Sequence, residues 1–191
     1  RGNSLEKLMK KLTGGKQMRE ASTPLAITSV DINTGVTVIF VSNKRGLTDT
    51  KDTIYRDDVP IYEAVRASIA VPVVFKPKII HGMRLVDGGV TDNVPVDVLK
   101  RMGAQKVIGI NLGYSGQRKD EVDNILEIGS QAIDIMSYHI TSLKTKEADY
   151  IINPHIYDVG AIEVHRIPEM IQRGYEAVSS NLNTIKKVIN S

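Results

Sequence analysis

Hydrophobic positions along the chain switch repeatedly between a helical and a strand period. Leu5, Leu8, Met9 and Leu12 recur at helical spacing, with Asn3 suited to cap that helix and Glu6 in its first turn. Thr13-Gly14-Gly15-Lys16 ends it. Gly15-Lys16 does not close a P-loop, because the position where that motif needs its first glycine is Lys10. Leu25 to Ile32 and Val36 to Val41 are β-branched runs separated by Asn33-Thr34-Gly35, which predicts a hairpin with Gly35 in the left-handed region. The polar stretch Asn43 to Asp58 reads as a solvated loop, with a substrate-access flap as the alternative. Ile61 to Ile69 predicts a short helix closed before Pro72, and Lys78 to Ile80 with Met83 to Val86 a second hairpin about His81-Gly82.

The second half begins with a helix from Pro95 to Met102, closed by Gly103, and a nearly continuous apolar run, Val107 to Leu112, of the kind buried on both faces. Met83 to Leu112 therefore reads as a strand–helix–strand unit with a right-handed parallel crossover. Val122, Ile125, Ile128, Ala132, Ile135, Met136, His139 and Leu143 share one face of a long helix. Tyr150 to Ile152 is a short strand, and Ile171, Tyr175, Val178, Leu182, Ile185 and Ile189 mark a final amphipathic helix after Pro168. Its spacing approaches a coiled-coil seam over too short a run, which leaves packing on the sheet as the expectation and a partner or membrane surface as the alternative.

The 191 residues suffice for one domain with a real core, and 41% hydrophobic content argues against disorder. A net charge of +3 without an aromatic-and-basic stripe gives no reason to expect nucleic acid as a partner. Zero cysteines exclude a disulfide scaffold and a thiol nucleophile. No apolar run is long enough to span a bilayer and no secretory signal is visible. The expected location is cytoplasmic or peripheral to a membrane.

Candidate chemistry concentrates in Arg84-Leu85-Val86-Asp87-Gly88-Gly89-Val90-Thr91-Asp92-Asn93-Val94-Pro95. An apolar strand runs into a carboxylate, and strand ends are where α/β sheets bind ligands. Asp87 is a candidate general base, with Gly88 and Gly89 leaving space around it and permitting positive φ. The plainer reading is a turn aspartate bonded to backbone amides. A nearby helix N-terminus would lower the Asp87 pKa and burial would raise it. Asp92 and Asp97 flank the turn without the spacing of a calcium loop, so no metal is expected; Asp97 suits a helix first turn and Asn93 a cap. His81 belongs to a hairpin turn and should be exposed, whereas His139, on an apolar helix face, reads as a core histidine; His155 and His165 form no metal motif with them. No G-x-S-x-G is present; Gly113-Tyr114-Ser115-Gly116 approaches it without the spacing. Ser68 ends a helix and is better placed to tie down backbone amides than to attack a substrate.

Val65-Arg66-Ala67-Ser68-Ile69-Ala70-Val71-Pro72-Val73-Val74-Phe75, followed by Leu85-Val86-Asp87-Gly88-Gly89 through Val96 and by Leu99-Lys100-Arg101-Met102-Gly103-Ala104, resembles the bacterial patatin-like phospholipases. Ser29 to Gly35 resembles that family's Asp-x-x-x-Gly hairpin, and Ala148 to Pro154 with Arg173-Gly174-Tyr175 its tail. The resemblance implies an α/β sandwich with a mostly parallel central sheet flanked by helices, here incomplete, with residues 1–191 as the carboxyl-terminal portion of one domain. It implies hydrolysis of lipid acyl esters by a Ser–Asp dyad without histidine, metal or cofactor, and a glycine-rich loop that holds the oxyanion. Asp87 would be the dyad aspartate and Gly88 and Gly89 its loop. The implied partners are a lipid acyl ester and, transiently, a membrane surface. The family's glycine-rich loop and serine elbow precede everything present here, so the nucleophile is expected outside these 191 residues and the isolated chain is expected to be inactive. Two alternatives remain open on the same fold: a non-catalytic lipid-binding or regulatory module, and an acyltransferase sharing the acyl-enzyme.

Overall fold

The computed structural model describes residues 2–113, 123–156, 158–159 and 163–191, which form two compact units, Arg1–Asp92 and Asn93–Ser191. In the first, strand β1 (Ala26–Asp31) turns back into β2 (Thr37–Val41) with Ala26 opposite Val41 and Val30 opposite Thr37. The turn forms because Gly35 takes a φ of 76° and its N–H donates to the Asp31 carbonyl at 2.8 Å. The buried Asp31 carboxylate accepts from the Thr34 hydroxyl at 2.8 Å and from the Arg84 N–H at 3.0 Å, which ties the hairpin to the strand on its other side. That strand is β5 (Met83–Asp87), antiparallel to β1 and joined to β4 (Lys78–Ile80) by the expected turn, with φ of 49° at His81 and 77° at Gly82. His81 is exposed, 3.6 Å from Asp58.

One element arises where a loop was expected. Thr53–Arg56 forms β3, parallel to β2, with Tyr55 only 1% exposed and its N–H held by the Asp49 carboxylate at 2.9 Å. The sheet order is β3-β2-β1-β5-β4. Helix α1 (Asn3–Leu12) packs on α2 (Ile61–Ser68), and α2 packs on β1, β4 and β5. The core comprises Met18, Val38, Phe40, Val59, Ala64, Ala67, Ile80 and Leu85.

In the second unit, α3 (Val96–Arg101) ends as expected at Gly103, whose φ is 96°. Strand β6 (Ile108–Ile110) pairs in parallel with β7 (Tyr150–Ile152), and the Asp149 carboxylate accepts from the Val107 N–H at 2.8 Å. Val94, Val96 and Val107 form a small core with Ala148 and Ile151 against them. Helix α4 (Ile125–Lys144) is capped by the Asn124 side chain, which accepts from Leu126 and Glu127 N–H groups. Helices α5 (Ile167–Ser180) and α6 (Leu182–Asn190) replace the single expected helix. They part at Asn181, whose amide donates to the Ala177 carbonyl and whose oxygen accepts from the Tyr150 hydroxyl at 2.6 Å.

The α/β class agrees with expectation, but the strand directions do not. In the five-stranded sheet only the β2–β3 pairing is parallel. Tight turns at Asn33–Gly35 and His81–Gly82 force antiparallel neighbours, since a parallel pair needs a long crossover. Within the second unit β6 pairs in parallel with β7. Val107 and Gly109 are buried while Ile110 and Leu112 are exposed, so β6 is covered on one face rather than two. Apolar residues of α4 (Ile125, Ile128, Ile135, Met136 and Leu143) are likewise exposed, as are Ile171 and Tyr175 of α5; only Ile185 on the final stretch is buried. His139 is exposed and set edge-on to Tyr138 at 5.4 Å, contrary to the expected core position. Val122 and the Tyr114–Gly116 segment lie outside the described residues. Among the described residues no helix is long and apolar enough to cross a membrane.

Candidate functional site

Asp87 is the last residue of β5, and three contacts fix where it stands. Its N–H donates to the Ala70 carbonyl at 3.1 Å, at the end of α2. The preceding carbonyl, of Val86, accepts from the fully buried Ser29 hydroxyl at 2.7 Å. Ser29 of β1 is also the residue opposite Asp87 in the sheet. The third contact is with its own turn: Oδ1 of Asp87 accepts from the Gly89 N–H at 2.7 Å. Oδ2 has no hydrogen-bond partner among the described residues. The side chain is half-buried, and burial pushes its pKa above the ordinary carboxylate value, outweighing the lowering effect of the Gly89 N–H. The two opposing influences expected from the sequence therefore resolve in favour of burial. The local donor is a 3-10 turn, Gly88–Val90, rather than the helix beginning at Val96.

Gly88 is required for space and not for its backbone angle. Neither Gly88 nor Gly89 is among the residues with positive φ, which corrects the expectation from sequence. A Cβ on Gly88 would stand 2.2 Å from the Thr28 hydroxyl oxygen and 2.7 Å from both the carbonyl carbon and oxygen of Thr28. The strand end and turn thus press directly onto the backbone of β1. The Gly88 carbonyl accepts from the N–H groups of Thr91 and Asp92, and the Thr91 and Thr37 hydroxyls are 3.0 Å apart, which pins the far side of the turn to β2.

The Ala-Ser-x-Ala-x-Pro block has a structural explanation on the same scale. Ala67 and Ala70 are both 0% exposed, and small side chains let the end of α2 come close enough for the Ala70 carbonyl to reach Asp87. Ser68 is half-buried, and its hydroxyl makes no hydrogen bond among the described residues, so it does not tie down the backbone as expected. Ser29, Thr28 and Thr37 were not legible as site residues. The only signal was a polar pair, Thr28-Ser29, inside an otherwise apolar strand.

The remaining candidates separate from this centre. Asp97 sits in the first turn of α3 and pairs with Arg101 at 3.0 Å, as expected. Asn93 is exposed and does not cap α3. Among the described residues no group of three or more His, Asp and Glu converges as a metal site would require. Surface concavities occur at residues 11–14, 16 and 21–25 with Ile61 and at Asp97, Lys100, Arg101, Lys144 and Glu147, and neither of these two is lined by Asp87.

Comparison with known proteins agrees with the family resemblance. The chain is 29% identical over 108 residues to lysophospholipase NTE1 of Scheffersomyces stipitis, covering 48% of this chain and 7% of that protein. It is 35% identical over 68 residues to an NTE family protein of Mycobacterium tuberculosis, covering 35% of this chain and 19% of that one. The aligned segments are thus a small part of either relative. The family described as patatin-like phospholipase matches residues 1–100, more than half of the 191, and so includes the whole of the Asp87 turn. On that match the chain belongs to the patatin-like phospholipase family.

Proposed function

We propose that this chain supplies the aspartate of a Ser–Asp dyad in a lipid acyl hydrolase, with a phospholipid or lysophospholipid acyl ester as substrate. One observation carries the reading: a half-buried carboxylate at a strand end has one oxygen fixed by Gly89 and the other without a hydrogen-bond partner among the described residues. The bond from the N–H two residues on is the one a structural turn aspartate also makes, so the reading rests on the second oxygen and on burial. Fixing Oδ1 orients the carboxylate and leaves Oδ2 to accept a proton. A raised pKa makes that oxygen a stronger base than an ordinary aspartate, provided it is ionised.

In the acylation step a serine hydroxyl donates to Oδ2 of Asp87. Its oxygen attacks the ester carbonyl as the proton passes to the carboxylate, and backbone N–H groups hold the oxyanion. Collapse of the tetrahedral intermediate breaks the acyl C–O bond, and the alcohol leaves with the proton from Asp87. Water then attacks the acyl-serine, giving its proton to Asp87; the serine oxygen recovers that proton on leaving, and a free fatty acid is released. Gly88 and Gly89 keep the approach to Oδ2 free of side chains.

The 191 residues contain no G-x-S-x-G, so the serine is supplied from outside them and the purified chain alone should not hydrolyse a short-chain p-nitrophenyl ester. Hydrolysis by the isolated chain that disappears in Asp87→Ala would show that the nucleophile lies within it and overturn this assignment.

A further inference from the structure

The segment between α2 and β4 has features that the dyad does not use. Val71, Val73 and Val74 are 42%, 57% and 43% exposed, three large apolar side chains in a four-residue turn. Val73 has a φ of 71°, where a β-branched residue is strained. The turn is nonetheless held firmly. The Val71 carbonyl accepts from the N–H groups of both Val74 and Phe75. Beneath it the guanidinium of Arg66, 5% exposed, donates to the Lys76 carbonyl at 3.1 Å and lies 5.5 Å from the Phe75 ring. A rigid apolar tip loses little conformational freedom when it meets a partner.

The stretch of sequence that carries the tip holds cations and no carboxylate. Residues 64–86 contain no Asp or Glu, but include Arg66, Lys76, Lys78, His81 and Arg84. Lys78 is neutralised by Glu6 at 2.9 Å and Glu63 at 3.7 Å, and His81 faces Asp58, whereas the side chains of Lys76 and Arg84 are exposed. The exposed apolar face of α4 differs in this respect, because it carries Glu127 and Asp134 on the same helix. Apolar side chains at a rigid tip with cations beside them complement an anionic lipid surface. We propose that the Val71–Val74 turn, with Lys76, is a docking tip for anionic phospholipid bilayers, the valines entering the acyl boundary and the cation remaining among the headgroups. The inference rests on the lipid-ester reading for its choice of partner. The tip is one residue from Ala70, whose carbonyl holds the Asp87 backbone, so docking would bring the reactive carboxylate to the lipid surface.

The test is cosedimentation of the chain with phosphatidylcholine vesicles with and without a minority of phosphatidylglycerol. The wild type should bind the phosphatidylglycerol vesicles. The triple variant Val71→Ser, Val73→Asn, Val74→Ser should lose about tenfold or more in affinity, with Asn chosen because it tolerates positive φ. Lys76→Glu should weaken binding to the anionic vesicles and not to the neutral ones. A urea midpoint no lower than that of the wild type in each variant confirms that folding is intact. Absent wild-type binding, or undiminished binding by the triple variant, would overturn the proposal. So would a wild-type dimer, seen by light scattering without lipid, that the triple variant abolishes, because the occupant would then be a second copy. Binding is read without turnover, so the two readings separate: intact vesicle binding by this chain beside a serine label that Asp87→Asn leaves undiminished in the serine-bearing protein would refute the dyad alone, and absent vesicle binding beside an Asp87-dependent label the docking tip alone.

Discussion

Substitution of Gly88 by alanine tests the geometry of the site with a single methyl group. The new Cβ would sit 2.2 Å from the Thr28 hydroxyl oxygen and 2.7 Å from the Thr28 carbonyl carbon and oxygen. Relaxed contacts begin at about 3.5 Å, so the hydroxyl is about 1.3 Å too close and the backbone about 0.8 Å too close. The hydroxyl can rotate away; the backbone cannot, because β1 is hydrogen-bonded to β2 on one side and to β5 on the other. Relief requires the Asp87 turn to lift from β1 by most of an ångström, at an overpacking cost of about 2–3 kcal/mol. For a chain of this size that is a fall in Tm of about 4–12 °C. A displacement of that order also removes on the order of 100-fold from a reaction that depends on the position of Oδ2. Urea denaturation gives the stability, with Gly129→Ala as the control. Gly129 lies inside α4 with nothing within 4 Å of an added Cβ, so the same substitution there should stabilise by about 0.5–1 kcal/mol. Adding Thr28→Ala to Gly88→Ala should recover only a minor part of the loss. A Gly88→Ala protein within about 0.5 kcal/mol of wild type would refute the close approach.

Two further outcomes follow from the ionisable groups. Burial raises the Asp87 pKa, so the ionised carboxylate destabilises the folded state above its folded pKa, and the penalty disappears below the ordinary value of 3.8. Asp87→Asn should therefore be more stable than wild type at about pH 7 and indistinguishable from it at about pH 3 in urea titrations; a less stable Asn variant at neutral pH would contradict the burial argument. The Asp158 carboxyl is held well below its ordinary value by hydrogen bonds from Arg173 and then Arg166. Its support for the 158–173 staple is present above the ordinary value and lost only in stronger acid, so carboxyl NMR should show Asp158 still ionised when exposed aspartates have protonated.

The sequence made most local structure legible where one residue dictates a conformation. Gly35 and His81-Gly82 announce their hairpins, and Gly103 the end of α3. The strand into Asp87 was equally readable from Leu85-Val86-Asp87. Strand β3 was not, because its four residues sit among charges and only pairing with β2 buries Tyr55. The need for glycine at position 88 was visible, but its reason was not, since the opposing atoms belong to Thr28, remote in sequence. Periodicity correctly marked the apolar face of α4, yet it reports which side chains align and not whether anything covers them, and Ile125 is 80% exposed. The break at Asn181 was hidden for a related reason: apolar spacing continues through it, while the deciding bond comes from Tyr150 on another element.

The central claim is that the carboxylate oxygen of Asp87 not held by Gly89 activates a serine. Fluorophosphonate labelling of the protein that carries both this chain and its serine elbow tests it most directly. The account predicts a labelled serine in the wild type and no label in Asp87→Asn, with the variant folded. An unlabelled wild type, or labelling undiminished in Asp87→Asn, would contradict it.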